Sequence, residues 1–547
     1  MSTSAPPVPP APSASATQAA LLARVPLGVG QVVLVGGGAA LAAALRRRDP
    51  AMRLVTVEHP AAELPRGADA IVWPDVLARQ ADPEAALRRA AEHLAEEGVL
   101  VFGTPNPEHW SVLSGMIRGG WRPGEGGPVE RAHLRPLPPE GVRAALEAAG
   151  LALLDATPQG VEEAAANAFT KAMAPSLQAL GVGAEAFFRR VAPRRFLWRA
   201  ARRRPAPLVV VAHVLKPVGG VNDVRIDLPL GGMATRPGVA TRIAQSPETP
   251  ELPEGTPRIM LLHRRLLNSP EAPAWVNGFR KRGWVVVQEF DDDPAHWPVI
   301  AASDHFAFRG VHAVQTTTPR LEALFRRFNE EIGVFPNTVA ELPEPANFAD
   351  PRRLTLFLGA LRREEDTAPF LPVLNEVLAE ADGRLQVEVL FDRGTFDALR
   401  TPHKRFGGIL PYAEYRALMS RCEIAFLPLN DTPFNNFKSD LKFVEAGAHR
   451  LAVLASPVVY GATVKDGETG RIIRSPEELG AALRRFLAVP EEARALGDAA
   501  RGWVREHRLL AGQVQARLDW YRSLWARRAE LDAAMLRRAP EFARLGG

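Results

Sequence analysis

Between Phe434 and Ser456 the chain reads FNNFKSDLKFVEAGAHRLAVLAS. Lys438, Lys442 and Glu445 follow one another at intervals of four and three residues. On an α-helix those intervals place all three side chains on one face. Leu441, Val444 and Ala448 then form a separate apolar face for packing. A hydrophobic run, EIAFLPL, comes before, and another, RLAVLAS, comes after. The pattern predicts a helix opening at the C-terminal edge of a parallel sheet, where open α/β folds bind ligands. Asn435 or Asn436 stands where it can cap the first turn. Free amides and the helix dipole favour an anion there. Two ammonium groups add charge for a diphosphate, and a carboxylate one turn deeper can accept hydrogen bonds from ribose hydroxyls. The loop DGETG, Asp466 to Gly470, can bring its backbone to the same ligand through Gly467, Thr469 and Gly470. The competing reading is a solvated helix face, on which Lys442 and Glu445 form a surface pair worth about 0.2–0.5 kcal/mol.

Such a site needs a sheet to carry it, and the chain has the grammar of three. From Gln31 to about Gln159, hydrophobic runs such as QVVLVGGGAALAAALRRRDP, MRLVTVEHP and VLVFGTPNP alternate with helical patterns such as DPEAALRRAAEHLAEEG. A second series begins at APLVVVAHVLKPVGGVNDVRIDLP and continues through PRIMLLHRR, RGWVVVQEFDDDP and VHAVQTTTP. A proline- and acid-rich stretch from Glu341 to Pro351 reads as a hinge. The third series holds RLTLFLGALRREED, LQVEVLFD and the segment described above, and the end of the chain is charged helix. Alternation of this kind specifies doubly wound, mainly parallel sheets.

A length of 547 residues implies two to four domains. With 46% hydrophobic and 24% charged residues the composition is that of a folded soluble protein. A single cysteine, Cys422, excludes an internal disulfide framework and fits a reducing compartment. No apolar run approaches the roughly 20 residues that cross a bilayer. The opening MSTSAPPVPPAPSASATQAA lacks the basic and apolar regions of a signal peptide and reads as a disordered tail. The net charge is +5, with arginine concentrated in RRFLWRAARRRP. No zinc spacing, RNA-recognition signature or helix-turn-helix accompanies it, so a basic linker helix is expected and no nucleic-acid partner. Peripheral attraction to an anionic lipid surface is the remaining use of that charge.

The segment FLPLNDTPFNNFKSDLKFVEAGAHRLAVLASPVVYGATVKDGETGRII resembles the donor-binding segment of GT-B glycosyltransferases of the family-4 type. There a strand ends in Pro-Leu, a Lys-Ser-x-x-Lys helix carries the key glutamate, and an Asp-Gly-x-x-Gly loop follows a strand ending in Ala-Ser. AVQTTTPRLEALFRRFNEEIGVFPNTV resembles the same family's passage between its two domains, with Pro336 and Asn337 at the crossover. LFLGALRREED resembles the glycine loop that opens the second domain. The resemblance spans about Pro205 to Arg522. It implies that Glu445 holds the donor ribose, that Lys438 is the phosphate lysine, and that Asn435, Lys442 and Gly359 are further donor contacts. Arg362 or Arg363 would reach the diphosphate. On the acceptor side it points to Gly219, Gly220, His263 and Asp292. It further implies retention at the anomeric carbon and no metal. The family's second glutamate, eight positions before the ribose one, is replaced here by Phe437. The acidic run EFDDDP, Glu289 to Pro294, offers a rival Mg²⁺ site through a donor diphosphate, although acids after a strand are more often turn residues and helix caps.

In the first series Gly36-Gly37-Gly38 does not have the Gly-x-Gly-x-x-Gly spacing of a dinucleotide fold. ADAIVWPDVLARQADPEAALRRAAEHLAEEGVLVFGTPNPEHWSVL and RAHLRPLPPEGVRAALEAAGL resemble class I S-adenosylmethionine (SAM)-dependent methyltransferases, over about residues 31–155. That resemblance implies SAM contacts at Gly36, Gly38 and Glu58. The sequence departs from it where Leu34-Val35 replace an acid and where Ala78-Arg79 replace Glu-His. It departs again where the chain from Glu58 to Ala68 is too short for the usual further strand and adenine contact. A degenerate domain that binds SAM weakly or not at all is expected.

The expected fold class is α/β, with three Rossmann-like α/β/α units, the last two forming a GT-B cleft. Expected boundaries are a tail at 1–30, a methyltransferase-like domain at 31–160 and a helical basic connector at 161–204. An acceptor domain at 205–340, a donor domain at 341–510 and C-terminal helices at 511–547 complete the chain. The expected activity moves a sugar from a nucleotide-diphosphate donor to a glycan or lipid-linked acceptor. The expected setting is surface-polysaccharide synthesis, in the cytoplasm or at the inner membrane face. Two alternatives stay open: a bifunctional enzyme that also methylates sugar, and a non-catalytic scaffold in a polysaccharide assembly.

Overall fold

The computed structural model describes residues 14–59, 63–124, 127–216, 218–246, 249–350, 352–359 and 363–545. The chain forms two compact units, one of residues up to Pro207 with Ala234–Val239, the other of Leu208–Met233 with Ala240 onward.

The first unit is built on one sheet with the strand order Arg53–Val57, Gln31–Val35, Ala68–Trp73, Leu94–Pro105, Pro193–Ala201, Ala152–Val161. The first four strands are parallel, and Pro193–Ala201 runs antiparallel to both its neighbours. Val33, Ile71, Leu100 and Trp198 lie in its core. Two expectations fail here. The expected tail is ordered from residue 14 onward, with a helix at Ala14–Leu22 and with Leu21 and Val25 buried, while residues 1–13 lie outside the described chain. The expected helical connector at 161–204 does hold helices, Glu163–Ala179 and Ala184–Val191, but its end, Pro193–Ala201, is a strand paired on both sides within the sheet. Three of its arginines are not free surface charge. Arg194 pairs with Glu162 at 2.8 Å, Arg199 with Asp155 at 2.6 Å, and Arg195 donates to the Pro74 carbonyl.

The second unit holds two further sheets. The first of them has the order Ile332–Val334, Ala313–Thr316, Val285–Glu289, Arg258–His263, Leu208–Val214, Val239–Ala244. The other has the order Lys404–Gly407, Leu385–Leu390, Leu354–Gly359, Ile424–Leu427, Ala452–Ala455, Arg471–Ile472, with every pair parallel. In that last sheet the order reverses between Leu354–Gly359 and Ile424–Leu427, which makes a crevice beyond their C-terminal ends. The central strands Ile424–Leu427 and Ala452–Ala455 are short, fully buried apolar runs, as parallel sheets covered on both faces require. After the last sheet the chain returns along Ala511–Ala526 and Arg528–Arg538. Met535, Ala539 and Phe542 join the core of the preceding sheet, and Tyr521 donates to Gln315 at 2.7 Å. Among the described residues no helix is long and apolar enough to cross a membrane.

Candidate donor site at the third sheet

Glu445 lies on the helix Leu441–Ala448, which connects Ile424–Leu427 to Ala452–Ala455. It is only 1% exposed, which removes the surface-pair reading. Its Oε2 accepts from the Tyr415 hydroxyl at 2.9 Å and from Lys442 Nζ at 3.1 Å. Lys442 also donates to the Tyr415 oxygen at 2.9 Å. Burial first, and then the charge of Glu445, hold the Tyr415 hydroxyl well above its ordinary pKa. It therefore stays a proton donor and fixes the carboxylate. One turn on, His449 Nδ1 stands 2.7 Å from the Glu445 carbonyl. Burial pushes the His449 ring down to about 4, so it is neutral at pH 7. The helix is wedged in place by Gly447, where an added Cβ would stand 3.0 Å from Val504 and 3.3 Å from the Ala500 carbonyl.

Lys438 is not on this helix, contrary to the spacing argument. The helix begins at Leu441, and Asp440 rather than Asn435 or Asn436 occupies its N-cap, without a capping hydrogen bond. Lys438 is extended, following a 3₁₀ turn at Asn435–Phe437. Long-range bonds hold the chain out of the helix. Asp440 is gripped by Arg508 at 2.7 Å and by Thr463 at 2.8 Å, and Ser439 accepts from Asn337 at 2.8 Å. Lys438 Nζ consequently reaches across to Asp292, at 2.9 and 3.0 Å from its two oxygens. The ammonium also lies 3.9 Å from the Phe434 ring centroid, a cation–π distance.

Asn435 works as a clamp. It is buried, its Oδ1 accepts from Arg363 at 2.8 Å, and its Nδ2 donates to Asp366 and the Asn430 carbonyl. Arg363 is thereby tied beside the end of Leu354–Gly359 and also bonds Asp366 at 2.8 Å. Arg362 lies outside the described residues. At Gly359 a Cβ would stand 2.2 Å from the Phe357 ring, so the strand end has room only for glycine. Gly467 has a φ of +81°, and its amide donates to the Gly470 carbonyl at 2.8 Å, closing the loop. A Cβ at Gly470 would meet Val464 at 2.9 Å and the Val453 carbonyl at 3.0 Å. Thr469 is buried and its hydroxyl accepts from the Lys465 amide at 3.0 Å, so it shapes the loop.

The acids of EFDDDP each have a partner. Glu289 is fully buried against Arg225 at 2.8 Å. Burial raises its pKa and Arg225 opposes the shift. Asp291 meets Arg264 at 2.6 Å; burial pushes its carboxyl up, but Arg264 outweighs that and leaves it below the usual range. Asp292 holds Lys438, and Asp293 caps the turn Pro294–His296. Arg225 also reaches the Phe335 carbonyl at 2.8 Å and Asn337 at 3.0 Å, which pins the predicted crossover. His263 ends its strand 4% exposed, and its Nε2 has no hydrogen-bond partner. Burial pushes it down to about 4. Gly219 and Gly220 form an open turn, with no atom within 4 Å of an added Cβ at either.

In the first unit Gly36 and Gly38 have φ of +67° and +72°, the turn that a close ligand approach requires. Glu58 is exposed just beyond Arg53–Val57, the edge strand, and has no partner among the described residues. The glycine turn and Glu58 are the groups that would hold SAM, which would supply a methyl group. Among the described residues no strand pairs beyond Arg53–Val57 to wall its adenine. The site therefore does not fit the whole cofactor, and no methyl-transfer step follows from it.

Residues 375–519 match the family model described as "Glycosyl transferase-like", and residues 21–156 match the one described as "Methyltransferase domain". The chain thus carries a stretch similar to glycosyltransferase domains after one similar to methyltransferase domains, and its second unit holds two Rossmann-like sheets in tandem. No curated protein matches it. Among solved structures, sucrose-phosphate synthase from Thermosynechococcus elongatus is 16% identical, with a TM-score of 0.43 over 58% of this chain and 99% of its own. Anabaena Alr3699/HepE in complex with UDP-glucose is 13% identical, with a TM-score of 0.42 over 58% of this chain and 99% of its own. TarM is 10% identical, with a TM-score of 0.38 over 48% of this chain, and the match spans only 54% of TarM's length.

Sequence reasoning missed Tyr415 and Arg264. The pair Tyr412 and Tyr415 in YAEYRALM was the available signal, since two aromatic hydroxyls three residues apart share a helix face.

Proposed function

We propose that the protein moves a sugar from a nucleoside-diphosphate donor to a glycan or lipid-linked acceptor. The observation that carries this reading is Glu445, buried and oriented by two donors beside the switch point of the third sheet. In this reading the donor ribose hydroxyls bond the Glu445 carboxylate. Lys438, Lys442 and Arg363 face the diphosphate and stabilise the leaving nucleotide as its charge develops. Asp292 releases Lys438 when phosphate arrives and is then free to accept from a sugar hydroxyl. It stands in for the family's second glutamate, since Phe437 packs into the apolar core of the second sheet. The resemblance supports retention at the anomeric carbon, no metal requirement, and a place in surface-polysaccharide synthesis at the cytoplasmic membrane face. Methyl transfer is not part of this reading.

Calorimetric titration of UDP, GDP, ADP, TDP and their common sugar conjugates tests it, with wild type and Glu445→Ala in parallel. One nucleotide should bind, and the variant should lose it. Folded wild-type protein that binds none of them would overturn the reading and leave the scaffold alternative in front.

A further inference from the structure

The second sheet has a switch point of its own, between the C-terminal ends of Leu208–Val214 and Arg258–His263, which lead away on opposite sides. A cavity of about 690 Å³ opens there, inside the roughly 300–1,000 Å³ typical of small-molecule sites. Its lining carries three cationic side chains, Lys216, Arg264 and Arg265, against a single carboxylate, Glu271. Arg264 is already neutralised by Asp291. Arg265 is not. Its guanidinium lies 5.1 Å from the centroid of Trp275, its buried Nε has no hydrogen-bond partner, and no carboxylate pairs with it among the described residues. Lys216 is exposed and likewise has no ion pair among the described residues. A cation held part-buried without a counter-charge is under-solvated, and an arriving anion relieves that.

The rest of the lining describes the ligand's body. Trp275 and Trp297 form apolar walls. At the rim Leu215 and Val218 are 55% and 45% exposed, an apolar lip flanking the charge of Lys216. The buried, unpartnered Nε2 of His263 belongs to the same cavity and lacks a hydrogen-bonding group such as a hydroxyl. The loop after the strand is held in the left-handed region at Arg264 and Leu267, with φ of 48° and 47°. Non-glycine residues keep such backbone where a site needs it. A chain of aromatic contacts leads from the cavity wall towards the donor side. Trp297 packs on His296, His296 packs on Phe434 at 5.1 Å, and Phe434 carries Lys438.

We infer that this cavity binds the phosphate-bearing head of an amphiphilic acceptor. Its anion sits on Arg265 and Lys216, its head group lies between the tryptophans, and its chain leaves over Leu215 and Val218. The inference rests on reading the second unit as a glycosyltransferase.

Farnesyl phosphate, farnesol and glucose 1-phosphate titrated into the full-length protein, followed by calorimetry and tryptophan fluorescence, test it. Farnesyl phosphate should bind wild type and Glu445→Gln alike, and Arg265→Gln about tenfold or more weaker, the scale of a lost charge-assisted hydrogen bond. Lys216→Gln, an exposed change safe for folding, should weaken it about threefold. Farnesol bound as tightly as farnesyl phosphate, or both variants binding like wild type, overturns the inference. Glucose 1-phosphate bound as tightly as farnesyl phosphate overturns the amphiphile and leaves a soluble sugar phosphate. Nucleotide titrated into the same samples separates the two readings. A protein that binds nucleotide but not farnesyl phosphate sinks this inference alone, and the reverse result sinks the transferase reading.

Discussion

Glu58 and Glu445 look alike in the sequence. Each is an acid beside the strands of an α/β series, placed where a resemblance asks for a ribose contact. In three dimensions they differ completely. Glu58 is exposed next to an edge strand, with no partner among the described residues. Glu445 is 1% exposed and receives two hydrogen bonds from groups that Tyr415 and Lys442 supply. The difference lies in the walls. The third sheet continues past Glu445's helix to Ala452–Ala455 and Arg471–Ile472, and the helix Tyr412–Met419 covers it. The first sheet stops at Arg53–Val57. A carboxylate becomes a binding group when its surroundings remove water and fix its lone pairs.

The sharpest way to break this comparison is to neutralise both acids. Glu445→Gln keeps the shape but removes the acceptor charge that two donors already address. Nucleotide affinity should fall about a hundredfold, on the scale of roughly 3 kcal/mol for a charged hydrogen-bonding group. Glu58→Gln should change nothing in a SAM titration, because wild-type binding should already be undetectable. Tight SAM binding lost in Glu58→Gln would reverse the ranking of the two sites.

Acid should separate the units next. Burial holds His263 and His449 of the second unit, and His109 of the first, down at about 4. Each is neutral when folded and takes a proton near pH 6.5 when unfolded. Between about pH 6.5 and 4 the unfolded state therefore binds more protons, and stability falls as the pH falls. The slope is about 1.4 kcal/mol per pH unit for each histidine. Burial also shifts His213 and His305 of the second unit down, which makes the second unit's loss the steeper. Calorimetric scans across that window should show it, and His449→Gln should flatten the second unit's slope while leaving the first unit's alone.

Lys438 and Lys442 offer a finer contrast, because one leaves the helix and the other does not. Lys438→Ala should weaken nucleotide binding about tenfold, the scale of one part-buried charge contact. Asp292→Asn, which frees the lysine, should instead tighten inorganic pyrophosphate binding. Equal losses for both variants would mean that the pair acts as one structural bridge.

That contrast also marks how far the sequence could be read. The buried strands and the face shared by Lys442 and Glu445 follow from local periodicity, and they were legible. The exit of Lys438 was not, since it depends on Arg508, Thr463 and Asn337, all distant in sequence. The strand Pro193–Ala201 was hidden for a related reason. Its arginines read as solvated charge until Glu162 and Asp155 are seen to pair with them. The Arg265 cavity left no local signal, because its lining joins three separate segments, around Leu215, from His263 to Trp275, and at Trp297.

The smallest expected effect tests the wall itself. Tyr415→Phe removes one hydroxyl and leaves the ring in place. Glu445 then keeps Lys442 as its donor, and Lys442 loses its second acceptor. A neutral hydrogen bond of this kind contributes about 1 kcal/mol, so nucleotide affinity should fall about fivefold. The measurement is informative because Tyr415 reaches the nucleotide only through Glu445 and the Lys442 that shares it. Combined with Glu445→Gln in a double-mutant cycle, Tyr415→Phe should add almost nothing further. Full additivity would mean that Tyr415 meets the ligand directly and that Glu445 is held by the rest of its pocket.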